Sequence, residues 1–196
     1  TGLAMQDQAV PVEVLGRRQI EQNMLVAPGD IVRSLDAISG LRVQTTSPEL
    51  GTAMVRVQGL PGHYTRVLAD GVPLYFDHPG GLALVQIPPM DLDRIEVLRG
   101  SASAVFGANA HAGVVNLLSR RPGKEANREF LFSQSTRDRT DGVLWLASPA
   151  NGPSKRWTNT LLVSAHRQQE RDVDADGWSD LPGYSRGVAR QRVFWD

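Results

Sequence analysis

Cysteine is absent from all 196 residues, and that removes disulfides, thiolate metal sites and a cysteine nucleophile together. A surplus of charge is absent as well. Lys plus Arg and Asp plus Glu both number 21, so the chain carries no broad positive footprint for nucleic acid. No run of 18 or more apolar residues occurs, which excludes a transmembrane helix by the thickness of the hydrocarbon core. Strands are then the only means of crossing a membrane. Thr1 to Asp7 hold neither a basic stretch nor an apolar one, and read as a mature N-terminus or as one without a leader.

Catalytic signatures are missing too. Ser101 and Ser103 lie in Gly-Ser-Ala-Ser-Ala rather than G-x-S-x-G, and no phosphate- or dinucleotide-binding glycine pattern follows a strand. The four histidines, His63, His78, His111 and His166, are scattered without an i, i+4 pair, which argues against zinc catalysis. On a strand Asp91 and Asp93 share one face and Glu96 the other, so they read as strand-end and packing charges rather than a paired acid and base. No enzyme and no cofactor is indicated.

What is present is organised around residues 91 to 121. Ile95 and Val97 alternate with Arg94 and Glu96 in a period of two, and Val114, Val115, Leu117 and Leu118 form a denser apolar run of strand length. Between them Gly100, Gly107 and Gly113 stand where the chain reverses or packs closely, flanking a short helix of small residues.

Ile95-Glu96-Val97-Leu98-Arg99-Gly100, Ser103, Phe106-Gly107, Ala110 and Gly113-Val114-Val115-Asn116-Leu117 fall on fixed spacings. In this the segment resembles the end of the plug domain of TonB-dependent outer-membrane transporters, approximately I-E-V-x-R-G-P-x-S-x-x-Y-G-x-x-A-x-G-G-V-[IV]-N-[IL]. Ser101 stands for the usual proline, Phe106 for tyrosine and Ala112 for a glycine. Two upstream stretches agree. Leu35, Gly40, Leu41 and Val43 meet a helix-to-strand pattern, and Arg66 to Pro73 follows "x-V-L-x-D-G-V-P", in which Asp70-Gly71 supplies a tight turn and Pro73 pre-sets φ after it. At Arg56-Val57-Gln58-Gly59 the family usually has arginine where Gln58 stands, which puts a buried ion pair there in doubt.

In chain order, residues 1–9 read as unstructured. Val10, Val12 and Val14 alternate as a short strand with Pro11 on an edge. The resemblance implies an energy-coupling segment near the N-terminus, partnered by the inner-membrane protein TonB; residues 8–14 are the candidate, although Val10 to Leu15 reads more readily as simply the first plug strand. Asp30 is expected to cap a helix with Ile31, Leu35 and Ile38 on one face and Gly40 after its last turn. Strands are expected at Leu41 to Thr45 and Met54 to Gln58. By resemblance, loops 46–53 and 75–84 meet the arriving ligand, with Glu49, Leu50, Tyr75, Phe76, Asp77 and His78 as candidates; they read otherwise as exposed turns.

After Pro122-Gly123 the texture changes to longer alternating runs at Phe130 to Ser135, Val143 to Ala147, Trp157 to Arg167 and Val188 to Trp195. Trp157, Leu161, Val163 and Ala165 share one face, Thr158, Thr160, Ser164 and His166 the other. A spanning strand needs such a division, and a sandwich strand with one wet face has it too. Asp172, Asp174 and Asp176, followed by Gly177, open like a calcium loop, but Gly183 stands where the bidentate glutamate belongs, so a solvated turn competes with a metal site.

The expected architecture is therefore an α+β plug, a small mixed sheet with short helices, over residues 10–123, then antiparallel strands of an incomplete transmembrane β-barrel over 124–196. The motif residues of the plug are Asp70, Gly71, Pro73, Glu96, Arg99, Gly100, Gly107, Gly113 and Asn116. A family barrel has about 22 strands, so four open-edged strands in lipid imply a fragment of a longer chain. The resemblance implies an outer-membrane importer of a scarce ligand, an iron chelate, cobalamin or a saccharide, in contact with lipid, its plug facing the periplasm of a Gram-negative cell. The alternative is a soluble binding module whose later strands close a small sheet of their own.

Overall fold

A computed structural model describes residues 12–26, 28–29, 31–47, 52–74, 87–100, 106, 110–136, 138–149, 157–174, 176–177, 179–181 and 183–195. The chain divides into two compact units, Thr1–Ser119 and Arg120–Asp196. No helix among the described residues is long and apolar enough to cross a membrane.

The first unit is built on a five-stranded mixed sheet in the order β1-β6-β7-β4-β5: β1 (Val12–Leu15), β4 (Thr65–Ala69), β5 (Val72–Pro73), β6 (Leu92–Arg99) and β7 (Gly113–Ser119). β4 runs parallel to β7, and every other pair in this sheet is antiparallel. The two strands at its centre are those of the organising segment. Ile95 and Val97 are fully buried, and so are Leu98 and Glu96 on the other face. Charged residues at alternate positions of β6 suggest a wet face, but the sheet is covered on both sides, and Glu96 is buried with Arg94 as its ion-pair partner. Asp91, expected on the strand, lies buried in a 3-10 turn at Pro89–Asp91 that precedes it.

Two short helices accompany this sheet. α1 (Arg17–Met24) buries Ile20 and Met24, one turn apart, and packs against β6 and α2. Gln19 accepts the Gly16 N–H at 3.2 Å, and Arg17 reaches the carbonyls of Met90 and Leu92 at 3.1 and 2.9 Å. α2 (Val32–Asp36) buries Leu35, with Ile31 and Ile38 at its ends also buried, as the periodicity predicts. Its N-cap is Ile31 with no side-chain cap, and Asp30 lies outside the described residues. Gly40 takes the left-handed conformation, φ 72°, after the last turn. β2 (Leu41–Ser47) and β3 (Thr52–Val57) form a separate antiparallel pair, longer toward the loop than expected; Gln58 falls in the turn beyond β3, at φ 50° and exposed.

The second unit is a four-stranded antiparallel sheet in the order β11-β10-β9-β8: β8 (Asn127–Gln134), β9 (Arg139–Ser148), β10 (Trp157–Gln168) and β11 (Tyr184–Trp195). The three later strands, of 10, 12 and 12 residues, are long enough to cross a hydrocarbon core at a tilt.

Candidate functional site

The second sheet leaves an apolar band bare on one face and covers a mixed face, where Val143, Trp145, Ala147 and Leu162 are buried beside polar groups. On β10 Thr160, Ser164 and His166 are buried while Trp157, Val163 and Ala165 are exposed. Register carries the same division across the sheet: Val163 stands beside Leu144, which stands beside Phe130, and Phe130 and Phe132 are 71% and 62% exposed. Trp157 and Trp195, directly opposed in register, meet edge to face at 4.0 Å between centroids at one end of this band. Aromatics at the rim of an exposed apolar belt are the pattern of a strand seated in a bilayer. A soluble sheet that closes on itself would hide this face.

The covered face holds two sets of polar contacts. His166 Nδ1 lies 2.7 Å from Asp141 Oδ1, both groups buried, and Arg139 approaches the same carboxylate at 2.9 Å. Arg120 pairs with Glu129, at 2.7 Å for Nη1 to Oε2, and lies over the Trp145 ring at 3.7 Å. None of these contacts is foreseen by the sequence reading. The signal available was the alternation itself, carried back beyond each apolar run to its flanking charges.

In the first unit the motif residues converge on two devices. Asp70 and Gly71, at φ 52° and 80°, form the tight turn between β4 and β5 that the Asp-Gly pair predicts. The turn is then held by β7: Asn116 accepts the Gly71 N–H at 3.0 Å, and the Asp70 carboxylate accepts the backbone N–H and hydroxyl of Ser119 at 2.7 and 2.6 Å. Pro73 pairs with Leu68 in β5. The second device is at the other end of the central strands. Gly113 sits so close to β6 that a Cβ there would lie 2.4 Å from the Leu98 carbonyl oxygen. Beside it Arg99 pairs with Glu13 of β1 and donates to the Ser39 carbonyl, tying the N-terminal strand to the α2–β2 corner. Gly100 follows at φ 87°. On β6 the Glu96 hydrogen bond, against the cost of burial, holds the Arg94 guanidinium above its ordinary value.

These features agree with a search of known families. A family model described as TonB-dependent Receptor Plug Domain matches residues 4–114. The chain belongs to that family. Its members are receptors and transporters, not enzymes. Among similar TonB-dependent receptors, Vitamin B12 transporter BtuB of Vibrio vulnificus (strain CMCP6) is 27% identical over 146 residues, covering 68% of this chain and 23% of the relative. The counterpart in Vibrio cholerae serotype O1 (strain M66-2) is 28% identical over 109 residues, 56% of this chain and 17% of its own. The chain therefore spans under a quarter of the length of these curated relatives. The fold is shared with the siderophore receptor PirA from Acinetobacter baumannii, with a TM-score of 0.72, 20% identity and coverage of 94% of this chain and 29% of that one. It is shared also with the ferric yersiniabactin uptake receptor FyuA from Yersinia pestis, at a TM-score of 0.68, 17% identity and coverage of 94% and 28%. The architecture is a TonB-dependent receptor plug followed by antiparallel strands of an incomplete barrel.

Of the remaining expected positions, Val12 and Val14 lie in β1, an edge strand paired antiparallel to β6. Val10, Glu49, Leu50, Tyr75, Phe76, Asp77, His78 and Gly107 lie outside the described residues. Asp172, Asp174 and Asp176 do gather, with carboxylate oxygens within 4.8 Å of one another, all exposed. Two of these groups already accept backbone amides of their own loop, Asp172 that of Gly177 and Asp174 that of Asp176.

Proposed function

We propose that the chain is the N-terminal portion of an outer-membrane active transporter of a Gram-negative cell, whose plug gates the lumen of the barrel begun by β8 to β11. The observation that supports this is the bare apolar band of the second sheet, rimmed by Trp157 and Trp195, in a chain whose preceding part is a plug. The ligand is scarce and small: an iron chelate, cobalamin or a saccharide. The curated relatives are named for vitamin B12 and the structural neighbours for siderophores, which keeps the first two in front.

Energy arrives mechanically from TonB through the segment that includes Val10, Val12 and Val14. Its described part is an edge strand of four residues, hydrogen-bonded on one side only, from which a pull is transmitted into β6. Glu49, Leu50, Tyr75, Phe76, Asp77 and His78 are proposed to meet the ligand, and the plug occupies residues 10–123 on the periplasmic side. Deletion of the intact gene is expected to abolish uptake of one labelled ligand among ferric chelates, cobalamin and oligosaccharides. Unchanged uptake of all of them would overturn the transport reading.

A further inference from the structure

His166 and Asp141 form a buried polar pair that plays no part in the transporter reading. They stand directly opposite each other on β10 and β9, with side chains 1% and 2% exposed. A carboxylate only accepts, so the hydrogen of their 2.7 Å contact sits on Nδ1. Arg139, two residues back along β9, reaches the same carboxylate at 2.9 Å. The other ring nitrogen, Nε2, has no hydrogen-bond partner among the described residues.

A buried pair of this kind is weak evidence for stability, and its best-attested use is to fix register. These two strands need such a device. A slip of one residue between β9 and β10 would turn the apolar band to the covered face, so alternation alone rejects it. A slip of two residues keeps every side chain on its own face. Val163, which stands beside Leu144, would then meet Leu146 or Gly142, and no charge would enter the band. Nor does a tight turn choose between the registers. Eight residues, 149–156, join Ser148 of β9 to Trp157 of β10. By contrast four residues, 135–138, join β8 to β9, closed by the Ser135 N–H on the Arg139 carbonyl at 2.8 Å.

We infer that the Asp141–His166 pair is the register lock of β9 on β10. In one register slipped by two, His166 faces the Arg139 guanidinium and Asp141 faces Ser164; in the other, His166 faces Val143 and Asp141 faces Gln168. Both leave the buried imidazole without its carboxylate, and an unmade buried hydrogen bond is costly. Register sets the stagger of a barrel, and stagger is linked to strand tilt and to diameter, so the lock bears on the lumen that the closed barrel encloses. It holds whatever the ligand.

The test places cysteine pairs on the exposed face of the full-length receptor, in a cysteine-free background folded into lipid vesicles, and follows disulfide formation under a mild oxidant. L144C/V163C reports the observed register, and G142C/V163C and L146C/V163C report the two slipped ones. With the lock intact only the first pair is expected to join. D141L/H166L, an apolar replacement for both partners, is expected to fold and to raise the slipped crosslinks by about fivefold or more. D141N, which still accepts from Nδ1, is expected to keep the observed register. Slipped crosslinks as strong as the first in the unaltered receptor, or unmoved by D141L/H166L, overturn the lock. So does a D141L/H166L receptor that fails to fold, since the pair would then serve stability rather than register. None of these outcomes bears on transport.

Discussion

The two sheets of this chain solve different solvent problems. In the first, apolar side chains lie inside on both faces, and the charges that intrude, such as Glu96, are paired. In the second, a band of apolar side chains lies bare on one face while polar groups are buried beside Val143, Trp145 and Leu162 on the other, an arrangement that suits hydrocarbon on the bare side. Hydrophobic composition alone does not separate the two. The direction in which each residue faces does.

The contrast can be broken most severely at Gly113. With φ at 145° and the Leu98 carbonyl 2.4 Å from a prospective Cβ, Gly113→Val is expected to part β6 from β7 and cost more than about 4 kcal/mol, seen as loss of the cooperative denaturant transition of the plug. A native-like midpoint would remove close approach as the reason for this glycine. The complementary probe is Val163→Arg on the exposed face of β10. A soluble sheet tolerates such a change within about 0.5 kcal/mol. In a bilayer it is expected to cost about 2–4 kcal/mol, measured as reduced folding of the full-length protein into vesicles.

Asp70→Ala sharpens the picture of the plug by removing both bonds to Ser119, for about 2 kcal/mol in the same denaturant titration. Asp70→Asn, still able to accept one of them, is expected to recover part. Glu13→Gln is the mildest: its pair with Arg99 is partly solvated, so the loss is expected to stay below about 1 kcal/mol and to vanish in high salt. A larger, salt-independent loss would mean that β1 is held chiefly by this contact.

Legibility in the sequence followed the locality of the cause. The Asp70-Gly71 turn and Gly40 cap were readable because their chemistry is complete within a few residues. Helix α1 was missed because Ile20 and Met24 are its only buried apolar residues, too sparse for a periodic signal. The Asp70–Ser119 clamp was invisible because its partners are 49 residues apart. The alternating run begins at Val188 in the sequence, whereas β11 begins at Tyr184. Which face of β10 was bare could not follow from alternation, because the pattern is identical in water and lipid.

The strand order of the first sheet has a consequence in time. β1 finds its partner only in β6, so Val12 waits for Leu98, and the β4–β5 hairpin joins the sheet only through β7. As the chain grows from its N-terminus, only the β2–β3 and β4–β5 strand pairs can form until the residues near 92 exist, because the strands that complete the sheet come last. The five-stranded sheet is therefore expected to assemble only once β6 and β7 are present. A polypeptide cut at residue 91 is therefore expected to show two hairpins and no larger sheet by backbone amide exchange.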